Sequence, residues 1–130
     1  MNAPRSAPHP TELKLKRRSR QLEVEFSDGC SFELSAEYLR VFSPSAEVTG
    51  HGAGERMLVC GKEHVNIETI EPVGRYAVRL IFDDGHATGL YTWPILYELG
   101  TEHESNWPRY LERLRSAGQS RKPAETDGGE

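Results

Sequence analysis

The candidate metal ligands in this sequence are His51, Cys60, His64 and His86. Zinc takes nitrogen and sulphur ligands, usually announced by close Cys or His pairs. Cys60 and His64 come nearest to such a pair, but Gly61 stands between them and no helical period surrounds them. Isolated surface histidines are the simpler account. A second chemistry is phosphate binding by "GHGAG", residues 50–54, whose glycines leave backbone N–H groups accessible. A phosphate cradle needs a strand before it and a helix after it, and neither is signalled. These read as turn glycines. The third possibility is recognition. Residues 43–64, "SPSAEVTGHGAGERMLVCGKEH", carry no hydrophobic period and combine small residues with Glu55, Arg56, Met57 and Leu58. Irregular connections of this length are usually functional or disordered, and loops on a rigid scaffold commonly carry recognition. "RMLVC" can add a short strand within it.

Signals for catalysis are weak. No nucleophile elbow is present. Iron dioxygenases use a His-x-Asp/Glu pair, and "HPT", "HGA", "HVN", "HAT" and "HES" all fail at the third place. A small-molecule pocket near Trp93 and Tyr97 would rest on the "YTWP" aromatics alone. Aromatics dominate burial in small domains, so these are expected in the core.

The elements that must position these residues are written twice. "LEVEFSDGCSFEL" (22–34) and "VRLIFDDGHATGL" (78–90) align at a shift of 56, placing Phe26, Asp28, Gly29 and Leu34 on Phe82, Asp84, Gly85 and Leu90. At the same shift Leu39 falls on Ile95. A three-residue loop with glycine in the left-handed position pairs Phe26 with Cys30, Val24 with Phe32 and Leu22 with Leu34. A two-residue turn would mix Glu33 into the apolar face. The second copy is expected to pair Phe82 with His86, Leu80 with Thr88 and Val78 with Leu90.

Each hairpin leads into a short helix. Ser35 can cap "AEYLRVF", which must stop before Pro44, and Thr92 can cap "WPILYEL", with Gly100 as its terminator. "ELKLK" and "VNIETI" read as further strands. "NWPRYLERLRSAG" is a last helix, capped by Asn106 and ended at Gly118, with Trp107, Tyr110, Leu111 and Leu114 as its apolar stripe. The expected fold is α+β: two tandem β-hairpin/short-helix units forming mainly antiparallel sheet, plus a C-terminal packing helix.

At 130 residues the chain is one domain by size. Residues 1–10 and 119–130 read as disordered tails around a domain at 11–118, because they offer little apolar surface to offset ordering. The net charge of −4 argues against nucleic acid, despite the five cations of "KLKRRSR" (14–20), which suit a solvated strand edge. Cys30 and Cys60 lack paired spacing, and neither a membrane span nor a signal peptide is written. A reduced, cytoplasmic protein is expected.

Three longer strings carry a family resemblance: "LRVFSPSAEVTGHG", "GKEHVNIETIEPVGRYAVRLIFDDGHATGLYTW" and "LYELG". They resemble small bacterial proteins homologous to the N-terminal domain of gamma-butyrobetaine hydroxylase, over roughly residues 11–118. In the hydroxylases this module precedes a separate iron- and 2-oxoglutarate-dependent domain, and related modules are attached to iron–sulphur carrier ATPases. The hydroxylase module holds a structural zinc through three cysteines after a Leu-Arg pair and one histidine in an Asp-Gly-His turn. Here the cysteine positions are Ser43, Ser45 and Val48, and only His86 remains. The resemblance therefore implies no metal, no cofactor and no catalysis. It also brings the start of the 43–56 loop beside His86. Ser43, Ser45, Glu47, His51 and His86 are the expected recognition surface for a protein partner. The competing expectation is a metal or iron–sulphur accessory using His51, Cys60, His64 and His86.

Overall fold

The computed structural model describes residues 7–44 and 58–122. Strands β1 (Pro10–Lys16), β2 (Gln21–Phe26) and β3 (Ser31–Ser35) form one antiparallel sheet and lead into helix α1 (Ala36–Val41). Strands β4 (Ile67–Val73), β5 (Ala77–Phe82) and β6 (Leu90–Thr92) form a second and lead into α2 (Trp93–Thr101). Helix α3 (His103–Ser116) follows. The fold is α+β, and each unit is three strands and a helix. Among the described residues, no helix is long and apolar enough to cross a membrane.

The repeat is reproduced at the level of single hydrogen bonds. In the first turn the Phe26 N–H reaches the Cys30 carbonyl at 2.8 Å and the Gly29 N–H reaches that of Phe26 at 3.0 Å. In the second the Phe82 N–H reaches the His86 carbonyl at 2.9 Å and the Gly85 N–H that of Phe82 at 3.1 Å. Gly29 and Gly85 share φ +92°, a region costly for side chains with a Cβ. Asp28 accepts the Cys30 N–H at 3.0 Å, and Asp84 accepts the His86 N–H at 3.1 Å. Even the outer strands agree, since the register slips after Pro10 opposite Phe26 and after Ile67 opposite Phe82.

The second hairpin departs from expectation beyond its turn. Leu22 pairs with Leu34 and Val24 with Phe32 as expected, but Val78 pairs with Tyr91, and Leu90 faces Arg79. Residues 86–89 lie outside the strands, so Leu80 and Thr88 form no ladder pair. One extra residue here moves every later side chain to the opposite face. Tyr91, fully buried, takes the place of Leu34, and its hydroxyl donates to the Leu39 carbonyl at 2.6 Å. The repeat offset is 57 from that point. Ser35 and Thr92 fit it, capping α1 and α2 by accepting from Tyr38 and Ile95 N–H groups. The counterpart of Leu39 is accordingly Leu96, and both are fully buried.

The core joins the two units through Leu22, Val24, Phe26, Leu39, Ile67, Leu80, Phe82, Tyr91 and Leu96. Helix α3 covers a second cluster of Val41, Tyr110 and Leu114, with Trp107 against both. Leu111, expected in that stripe, is exposed. The helix also starts earlier than Asn106, which instead sits in its second turn and donates to the Tyr38 hydroxyl at 3.0 Å. At its end Gly118, with φ +69°, donates to Arg115 and Gln119 donates to Leu114, closing a Schellman motif. Residues 58–60 adopt no strand, and the Val59 carbonyl is taken by the Tyr110 hydroxyl at 2.6 Å. Residues 1–6 and 123–130 lie outside the described residues. Beyond Gly118, where a tail was expected, residues 120 and 121 accept N–H bonds from Gly61 and Glu63.

Gly100 does not terminate α2. It lies within the helix, at a position where a Cβ would stand 2.5 Å from the Phe32 ring. Alanine normally improves a helix interior, but this contact reverses the sign. Gly100→Ala is expected to lower stability by about 1–2 kcal/mol through overpacking, read as a lower thermal midpoint.

Candidate functional site

The resemblance places Ser43 near His86, and the structure brings them together. Ser43 Oγ lies 2.9 Å from His86 Nε2, and Ser43 is buried. Two backbone features set this geometry. After α1, Phe42 N–H bonds back to Tyr38 and Ser43 N–H to Arg40, which turns the chain toward the second hairpin. Opposite, Gly89 leaves room for the hydroxyl, since a Cβ at that residue would stand 2.3 Å from Ser43 Oγ. His86 itself is presented by the Asp84-Gly85 turn, with its ring 6.1 Å from that of Phe82.

Asp84 is the charged centre of the site. One carboxylate oxygen caps the His86 N–H, and the other accepts from Arg40 Nε at 2.8 Å and Lys62 Nζ at 2.6 Å. Burial alone would raise the Asp84 carboxyl. The Lys62 ammonium, the His86 N–H and the Arg40 guanidinium outweigh it and hold it down at about 2. The residue therefore stays anionic, and its two cations tie α1, the hairpin turn and the stretch around Lys62 together. Beside it lies a shallow depression of about 260 Å3, lined by Gly61, Lys62, His64, Val65, Asp83 and Asp84.

The first hairpin carries a matching arrangement. Tyr97, 57 positions after Arg40, donates to Asp28 at 2.6 Å, as Arg40 donates to Asp84. Its hydroxyl also lies 3.6 Å from the Cys30 thiol. The Asp28 carboxylate pushes the Tyr97 hydroxyl upward, while the same hydrogen bond lowers Asp28. Each unit's helix thus grips the other unit's turn. Tyr97 packs edge-on against Phe26 and Phe32, and Trp93 Nε1 donates to the Arg75 carbonyl, so both aromatics contribute to packing.

Ser45, Glu47 and His51 lie outside the described residues. Of the alternative ligand set, His64 lines the depression near Asp84, whereas Cys60 Sγ donates to Gln119 Oε1 at 3.5 Å and does not line it. Among the described residues, no group of three His, Cys, Asp or Glu side chains is placed to hold one ion. Lys62 and the pairing of Arg40 with Asp84 were not expected from sequence. The only local signals were the Leu39-Arg40 pair and the Asp-Gly turn.

The family model described as gamma-butyrobetaine hydroxylase-like, N-terminal, matches residues 13–97. Two solution structures determined by NMR are similar along nearly the whole chain. One is 52% identical, covers 100% of this chain and 97% of its own, and has a TM-score of 0.78. The other is 44% identical, with 96% and 98% coverage and a TM-score of 0.80. A 1.93 Å crystal structure from Acidithiobacillus ferrooxidans ATCC 23270, described as a protein of unknown function in the DUF971 family, is 41% identical. It covers 71% of this chain and 92% of its own, at a TM-score of 0.60. No curated protein matches the chain. The family match runs from within β1 to within α2 and takes in Ser43, Asp84 and His86, and the chain belongs to the gamma-butyrobetaine hydroxylase-like N-terminal family.

Proposed function

We propose that the protein is a non-catalytic interaction module, cytoplasmic and metal-free, whose recognition surface is the segment beginning at Ser43 together with the Asp84-Gly85-His86 turn. The observation that carries this reading is the Ser43–His86 hydrogen bond, braced by Asp84 with Arg40 and Lys62. It supplies a rigid base from which a long segment departs, the arrangement in which loops commonly serve recognition. Ser45, Glu47 and His51 belong to the same surface by sequence. A protein partner is favoured over nucleic acid because the net charge is −4. The Lys16 ammonium is also already engaged by Glu23 and Glu33.

Affinity capture from native cells tests the proposal, run with wild type and with Ser43→Ala, Ser45→Ala and His51→Ala combined. One strong interactor is expected to fall at least tenfold with the triple variant while its circular dichroism is unchanged. Equal capture by both proteins overturns the surface. Stoichiometric zinc or iron in tag-free protein, lost on His86→Ala, would replace the proposal with the metal accessory reading.

A further inference from the structure

The most completely built binding geometry lies away from His86 and is filled by the chain itself. Glu37, on the first turn of α1, is 5% exposed. Arg121 meets it with a two-pronged contact, Nε to one oxygen at 2.9 Å and Nη2 to the other at 2.8 Å. The same guanidinium stands 3.7 Å from Glu63 and 5.5 Å from the centre of the Trp107 ring. The main chain is held as well. Gly61 N–H donates to the Ser120 carbonyl and Glu63 N–H to that of Arg121, both at 3.0 Å.

Three parts of the receiving side also have local supports apart from the occupant. Glu37 follows the Ser35 cap, and Trp107 stacks on His103 and packs against Tyr110. Gly61, with φ +74°, sets the direction of the 61–63 backbone. Lys62 anchors that backbone to Asp84. The occupant follows α3 through Gly118 and Gln119, whose N–H groups close the helix on Arg115 and Leu114. A buried carboxylate is costly without a cation, and only arginine offers a planar fork that also stacks on an aromatic face. These groups together match the chemistry of an arginine within a peptide main chain.

We propose that the groove formed by Glu37, Gly61–Glu63 and Trp107 is an arginine-peptide binding site, occupied in cis by Ser120–Lys122, which an arginine-bearing segment of a partner protein enters by displacing that occupant. This does not depend on the role given to Ser43 and His86. The test uses the full chain carrying Arg121→Ala and a capped synthetic peptide, Gly-Gln-Ser-Arg-Lys-Pro, matching residues 118–123. Amide resonances of Gly61 and Glu63 and the Trp107 indole signal report binding at this site. The variant is expected to bind the peptide at least tenfold more tightly than wild type, whose own segment competes. A peptide with alanine in place of arginine should not bind, and adding Glu37→Gln should weaken binding at least tenfold. Absence of binding at millimolar peptide, or equal binding of the alanine peptide, overturns the proposal. Should Arg121→Ala fail to fold, Arg121→Lys, which keeps the cation but loses the fork, is titrated with the same expected and overturning results.

Discussion

Asp84→Ala is expected to destabilise the protein by about 2–3 kcal/mol, below the roughly 3–5 kcal/mol of a fully buried ion pair because the side chain retains some solvent contact. The loss has two parts. Arg40 and Lys62, both largely covered, would face each other without the intervening anion, and the His86 N–H would lose its acceptor. Asp28→Ala at the matching turn removes a carboxylate whose side-chain partner is a neutral tyrosine hydroxyl, so its cost should be clearly smaller. Thermal or urea denaturation of both variants checks the contrast. Equal costs would show that the turn alone, and not the charge centre, stabilises this region.

The same carboxylate predicts an acid limb in the stability profile. Its folded pKa is about 2, against an ordinary 3.8. A depressed carboxylate contributes stability fully present above its unfolded pKa, and that contribution is lost as pH falls through the folded value. The window is therefore roughly pH 4 to 2, and screening leaves on the order of 1–2 kcal/mol within it. Asp84→Asn should flatten that part of the curve, leaving the other carboxylates to set the remaining slope.

Local chemistry was legible in the sequence; long-range pairing was not. The Asp-Gly turns could be read because a turn aspartate, a left-handed glycine and alternating apolar residues act within a few positions. The helix caps Ser35 and Thr92 could be read for the same reason. The extra residue at 86–89 could not, because nothing local records that Tyr91 rather than Leu90 faces inward. That choice is made by burial against Leu39 and the other unit. Gly100 misled in a related way. Its glycine looked like a helix end but serves the approach of Phe32, a contact between units. Leu111 fitted the helical spacing, yet the tertiary packing of α3 left it outside.

The site divides along the same line. The meeting of Ser43 with His86 followed from the resemblance, not from spacing, since 43 residues separate them. Arg40 and Asp84 are 44 residues apart, and Glu37 and Arg121 are 84 apart. Charged residues on a surface are too common for such partners to be selected from sequence. The duplicated architecture supplies the missing logic. Because each helix packs on the opposite turn, the residue one turn into α1 or α2 must answer the opposite aspartate, as Arg40 and Tyr97 do.

Leu96→Ala should cost about 3–4 kcal/mol, whereas Ile95→Ala should cost about 1–2 kcal/mol. A repeat carried unbroken at an offset of 56 would make Ile95 the counterpart of Leu39 and predict the reverse order. The structure instead inserts one residue before β6, rotating the α2 assignment by one position, so that Leu96 is fully buried and Ile95 only partly. Deleting a buried leucine side chain removes its transfer energy and leaves a cavity between the two units, where both sheets limit collapse. Ile95 sits at the margin of that cluster, where solvent can refill part of the lost contact. Leu39→Ala, the equivalent change in α1, should match Leu96→Ala within about 1 kcal/mol, since both leucines are fully buried in the shared core. Chemical denaturation of the three variants measures the ordering. An Ile95→Ala loss as large as that of Leu96→Ala would mean that the inserted residue does not set the face α2 presents to the core.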